Sequence, residues 1–239
     1  MTIWGLIIGG IAGLAIGGPI GGLLGAAAGH LADRQLRPPA DSDKTKQVAF
    51  TVAVIALSAK MAKIDGHVTR SEIEAFRRKV HIPKADIARV GKFWDLARQT
   101  PDGFEAYARQ TVSLFGPKAP ILEQLLELLF FIARADKDIS ASECAYLEAV
   151  AEIFGYNQSE FNRFVRLYGT SGATPWQILG VAEDADTATI QAAWKQLVRT
   201  HHPDKLIAEG MPQEFVAAAT ERLASINAAY NTLNGTIQE

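Results

Sequence analysis

The tripeptide His202-Pro203-Asp204 sets an imidazole and a carboxylate on either side of a proline. A catalytic His–Asp pair needs a nucleophile to activate, and none lies at a meaningful spacing from these two. Read from the residues alone, each has a structural role open to it. His202 could cap the helix before it, where a cation offsets the helix dipole. Pro203 could stop that helix, and Asp204 could be a loop residue.

A second set of candidates is acidic. Ala62-Lys63-Ile64-Asp65-Gly66-His67-Val68-Thr69-Arg70-Ser71-Glu72 is echoed by Ala133-Arg134-Ala135-Asp136-Lys137-Asp138-Ile139-Ser140-Ala141-Ser142-Glu143. Each stretch reads as a helix end, an acidic turn, one buried β-branched residue and a new helix. Thr69 with Glu72, and Ser140 with Glu143, have capping-box spacing: the hydroxyl accepts from the third helical amide while the carboxylate reaches back. An EF-hand is excluded on spacing. Counting from Asp136 puts Leu147 at the required bidentate position, and counting from Asp65 puts Phe76 there. The lone cysteine, Cys144, excludes an internal disulfide and a four-cysteine zinc site.

Glycine dominates the third pattern. No Lys, Arg, Asp or Glu precedes Asp33, and Gly9, Gly13, Gly17, Gly21, Gly25 and Gly29 recur at every fourth residue. From Ile3 to Ala32 a helix would be about 45 Å long, enough to cross a hydrocarbon core of about 30 Å. The glycine stripe would let two such helices approach closely in lipid, so this segment is expected to pair two copies of the chain. A hairpin turning at Gly17-Gly18-Pro19 is an alternative. Arg34, Arg37, Lys44 and Lys46 follow the span, which places its C-terminal side in the cytoplasm.

The elements that would position the His-Pro-Asp corner are helical. Thr174 to Gly180 reads as a short helix ending in glycine, and Asp184 to Asp186 supply a turn and an N-cap. A helix from about Thr187 to His201 carries Ile190, Ala193, Trp194, Leu197 and Val198 on one face, with Gln191, Lys195 and Arg199 on another. The corner and a loop to Pro212 follow. A helix from about Gln213 to Thr232 then offers Leu223, Ile226, Ala229, Tyr230 and Leu233 as its apolar face. Leu179-Gly180-Val181, Ala193-Trp194, His202-Pro203-Asp204-Lys205 and Ile226-Asn227-Ala228-Ala229-Tyr230 stand in the order and spacing of the J-domain family, which this segment resembles. The resemblance implies docking on a DnaK-type ATPase chaperone, not catalysis. His202, Pro203 and Asp204 would touch the partner, and Lys195, Arg199 and Lys205 would meet an acidic surface, adding orientation and association rate more than raw affinity. Gln191, Gln196 and Thr200 stand where many members are basic, and Trp176, Trp194 and His201 where Tyr is frequent. No Gly/Phe-rich segment and no zinc-binding cysteine cluster accompany it.

The duplicated acidic pattern resembles the TerB-like (tellurite-resistance) helical domain. That resemblance implies Asp65, Glu72, Asp136, Asp138 and Glu143 as candidate ligands for a divalent cation. Capping chemistry explains the same residues, and no metal is assigned.

The expected fold is all-α: a transmembrane helix over 1–33, a linker over 34–46, a TerB-like bundle of about seven helices over 47–168, and a J-domain helical hairpin over 174–239. This order resembles the membrane-anchored DnaJ-like co-chaperones of Gram-negative bacteria. The expected protein is a single-pass inner-membrane regulator of a cytoplasmic DnaK-type ATPase, not itself an enzyme and with no cofactor. Its partners are that chaperone, lipid and a second copy of itself. With 24 basic and 26 acidic side chains, the formal charge of −2 gives no global pull towards nucleic acid. The rival reading is a cation-responsive TerB-like stress protein with an accessory J domain.

Overall fold

The computed structural model describes residues 3, 19–21, 42–64, 69–99, 102–135, 138–169 and 172–237. No strand occurs among them. Seven helices make the middle of the chain: α1 Ser42–Ile64, α2 Arg70–Lys79, α3 Ile87–Ala97, α4 Phe104–Phe115, α5 Pro120–Ala133, α6 Ala141–Ile153 and α7 Gln158–Tyr168. The C-terminal part adds α8 Pro175–Leu179, α9 Thr187–His201, α10 Pro203–Glu209, a 3-10 turn at Gln213–Phe215, and α11 Val216–Ile237.

α1 is the axis of the bundle. Its sequence suggests a single stripe, Val48, Val52, Ile55, Ala56 and Ala59, but every residue from Val48 to Ala62 is buried. A helix that is apolar all round has no face to give to water and must be enclosed, and α3, α4, α5 and α6 all lie against it. Asp43–Ile64 is apolar and long enough to cross a membrane by length alone, yet it forms the interior of the bundle. Its polar residues find partners inside. Thr51 Oγ1 donates to the Gln47 carbonyl at 2.8 Å, and Lys60 Nζ to the Asp102 carbonyl at 2.7 Å.

The helix starts are written in the sequence. Thr69–Glu72, Ser140–Glu143, Asn157–Glu160 and Thr174–Gln177 are all complete capping boxes. Pro120 occupies the first turn of α5, where its missing amide hydrogen costs nothing. Ile121, Leu125, Leu128, Leu129 and Ile132, the second expected stripe, are all buried.

The core does not stop at the end of the bundle. Leu206, Met211, Phe215 and Ala219 belong to the same cluster as the α1 and α5 residues. A second, small cluster of Leu179, Ile190, Ile226, Ala229 and Leu233 joins α8, α9 and α11 at the far end. Of the glycine-rich N-terminus, Ile3 and Ile20 are described and buried against the main core. The Ile3 amide donates to Glu214 Oε1 at 3.3 Å, and the Ile20 amide to Gln110 Oε1 at 2.9 Å. The expected span over 1–33 otherwise lies outside the described residues. So do all the stripe glycines except Gly21, which is helical and buried.

Candidate functional site

α9 and α11 pack side by side and carry the corner at one end. Asp186 starts α9 by accepting from the Thr189 amide at 2.8 Å. Trp194 stacks on Tyr230 with ring centroids 4.4 Å apart, and its Nε1 donates to Asn227 Oδ1 at 2.8 Å. An indole in this position satisfies its polar atom while its ring fills the helix interface. Ile190, Ile226, Ala229 and Leu233 complete that interface.

His202 sits between α9 and α10 with φ −64° and ψ 130°, ending one helix and capping the next. Its Nδ1 accepts from the Asp204 amide at 3.2 Å, so the neutral ring keeps Nε2 as its donor. The sequence suggests a helix stop and a loop running to Pro212. The chain instead restarts at once as α10. Pro203 at its first position, acidic Asp204 in its first turn and Gly210 at its end are the usual asymmetric signals. The cap therefore belongs to the following helix, not the preceding one.

The His202 side chain is 47% exposed and that of Asp204 87%. Pro203 is half-buried. The flanking residues point the other way: His201 and Leu206 are buried, pinning the corner from both sides. Lys195 and Arg199 are exposed on α9. Lys205 is exposed on α10, with its Nζ 3.7 Å from Glu209 Oε1. The geometry offers another protein a rigid, open corner: an imidazole, a ring, a carboxylate and three cations.

Of the acidic candidates, Glu72, Asp138 and Glu143 are described. Glu72 Oε2 accepts from the Thr69 amide at 2.7 Å, and Glu143 Oε2 from the Ser140 amide at 2.8 Å. Both carboxylates are buried within their capping boxes, Asp138 is exposed, and Asp65 and Asp136 lie outside the described residues. Among the described residues no group of three or more His, Cys, Asp or Glu could hold a metal ion.

Two polar residues at the junction of hairpin and bundle escape the sequence pattern. His201 Nε2 lies 4.0 Å from Glu123 Oε1, and burial pushes the imidazole down to about 4. Arg222 is buried with its guanidinium over the Tyr168 ring, 5.2 Å from the centroid. Arg222 keeps step with Ile226, Ala229 and Leu233 along α11, and a charge in register with an apolar stripe is the signal that marks it.

Comparison with known proteins follows the same order along the chain. A family model for the transmembrane domain of the co-chaperone DjlA matches residues 1–47. The model for the tellurite resistance protein TerB matches 51–166, and that for the DnaJ domain matches 174–237. The chain is DjlA-like. Co-chaperone protein DjlA of Escherichia coli strain K12 is 26% identical over 264 residues, covering 98% of this chain and 97% of its own. The protein of the same name from Haemophilus influenzae is 25% identical over 282 residues, covering 98% of each. That from Aliivibrio fischeri is 28% identical over 226 residues, covering 80% of each. No solved structure matches. The DjlA-like order gives the exposed corner its context: it belongs to the segment matched by the DnaJ model, at the opposite end of the chain from the segment matched by the transmembrane model.

Proposed function

We propose that this chain is a membrane-anchored co-chaperone whose J domain stimulates the ATPase of a cytoplasmic DnaK-type chaperone and recruits it to the inner membrane. The observation that carries the reading is the exposure of His202 and Asp204 on a corner fixed from behind by buried His201 and Leu206. A partner can reach the corner without the hairpin unfolding. Lys195 and Arg199 extend the accessible surface along α9 and would steer an acidic partner into register. On this reading the chain is a regulator, and the chemistry belongs to the partner. The cations that follow Asp33 support a corner on the side of the membrane where ATP is found.

The test is a steady-state ATPase assay of a cytoplasmic DnaK-type chaperone with the segment from residue 42 to the end. The parent should stimulate turnover. His202→Gln should abolish stimulation while leaving the circular dichroism spectrum unchanged and costing no more than the cap bond to the Asp204 amide, about 1 kcal/mol, because the His202 ring is half in water. Undiminished stimulation by a folded His202→Gln protein would refute the assignment.

A further inference from the structure

The outer face of α2 carries cations that no carboxylate answers. Arg70, Arg77 and Arg78 are exposed on the helix, and Lys84 on the turn that follows it. None of the four has an acidic partner among the described residues, whereas Lys79 is paired with Glu221, Lys118 with Glu160 and Lys205 with Glu209. Arg78 sits over the Phe131 ring, 5.5 Å from its centroid, which leaves its charge uncompensated. Glu74 is the one exposed acid between positions 70 and 84. The helix dipole accounts for basic residues in the last turn of α2. It does not account for Arg70, which opens the first turn where a cation is disfavoured, or for Lys84 beyond the end.

Ile73 shares this face. It is 40% exposed and is the one large apolar side chain left open among the described residues. Arg70, Ile73 and Arg77 recur at the spacing that puts them on one side of a helix, while Ala75 and Phe76 face the core. Cations around an open aliphatic side chain make a face suited to an anionic bilayer surface.

The fold holds the end of α2 beside the start of α1. The match to the transmembrane model runs to residue 47. Lys46 lies against Gly210, and further along that loop the Glu214 carbonyl accepts from the His81 amide at 3.1 Å, between Arg78 and Lys84.

We propose that this face lies on the lipid leaflet from which α1 emerges, with Arg70, Arg77, Arg78 and Lys84 against anionic phospholipid headgroups and Ile73 between them. The inference rests on the membrane-anchored reading and adds a second contact with the bilayer, one that orients the bundle.

The test uses the full chain in lipid nanodiscs, of phosphatidylcholine alone or of phosphatidylcholine with phosphatidylglycerol, and needs no chaperone. Acetylation of each lysine by a water-soluble ester is followed by mass spectrometry, with exposed Lys195 on α9 as the internal reference. Lys84 should react at least about fivefold more slowly in the anionic discs, the factor that one cation at an anionic surface corresponds to. High salt, which screens exposed charges, should restore its rate. Lys195 should react alike in both lipids. In the triple variant Arg70→Gln/Arg77→Gln/Arg78→Gln, whose changed side chains lie outside the core, Lys84 should react in anionic discs as fast as in neutral ones. Equal Lys84 rates in the two lipids, or slowing that survives high salt or the triple variant, overturns the proposal. A chain that enters neither kind of disc refutes the anchor and, with it, this contact.

Discussion

His201 turns its ring inward against Glu123 while His202, the next residue, keeps its ring half in water. Burial holds the His201 imidazole at about 4, against an ordinary value near 6.5. Glu123 opposes that shift, while the cations of Arg222, Arg163 and Lys205 reinforce it. The unfolded chain therefore binds this proton more readily than the folded one. The stability at stake is fully present above about pH 6.5 and is lost as the pH falls towards 4. A gap of that size corresponds to about 3 kcal/mol. Replacing His201 by Phe, a ring that does not titrate, should shrink the loss of stability between pH 7 and pH 4 by roughly that amount. Urea unfolding at the two values measures it, and an identical pH dependence in the two proteins would show that His201 does not fold as a buried neutral ring. The sequence marked the exposed member of the pair because its chemistry stands in a recognisable tripeptide. It could not mark the buried one, whose environment comes from Glu123 and Arg163, far away in the chain. Arg222 was half-legible: its register along α11 is visible, but the Tyr168 ring and the Glu127 carboxylate that receive it are not.

Element boundaries follow local chemistry, and local chemistry is what a sequence shows best. α9 begins and ends where its cap and its apolar stripe place it, and the bundle has its seven helices. α10 was hidden because a proline reads equally as the end of one helix and the first residue of another, and only the cap bond from the Asp204 amide to His202 decides between them. The burial of α1 on all sides was hidden for a different reason. Periodicity finds the most apolar stripe, whereas Thr51, Ser58 and Lys60 on the other faces gain entry through bonds or enclosure that only the fold supplies. The start of α6 offers a direct test of the capping account of the acidic repeat. Ser140→Ala removes the acceptor for the Glu143 amide, now 3.2 Å from the hydroxyl, and should cost about 1 kcal/mol. Thermal unfolding with and without millimolar calcium or magnesium checks it. A destabilised variant that neither cation restores fits capping. A metal-dependent rise in melting temperature in the parent, lost in Glu143→Gln, would instead give the acidic turns a ligand role.

Only six positions, 169–174, separate α7 from α8, too short a tether to let the hairpin roam. The two parts are joined by packing and polar contacts together. Phe215 meets Phe50 edge to face with centroids 5.1 Å apart, and the His81 amide donates to the Glu214 carbonyl at 3.1 Å. Lys79 pairs with Glu221 across the same seam. Gly210, at φ 115°, lies so close to the bundle that a Cβ there would stand 2.8 Å from Lys46 Cβ and 3.2 Å from the Phe115 ring. A positive φ and a close approach both demand glycine at this one position. The segment that displays the His-Pro-Asp corner thus shares its core with α1, the helix that begins within the segment matched by the transmembrane model, which fixes the direction in which the corner points. Phe215→Ala in the chain from residue 42 onward should therefore cost about 3–5 kcal/mol and lower the protection of α1 amides together with those of α10 and α11. Native-state hydrogen exchange reads each helix separately. If α10 and α11 alone lost protection while α1 kept its own, the hairpin would be an independent unit resting on the bundle, and the corner would be tethered without being aimed.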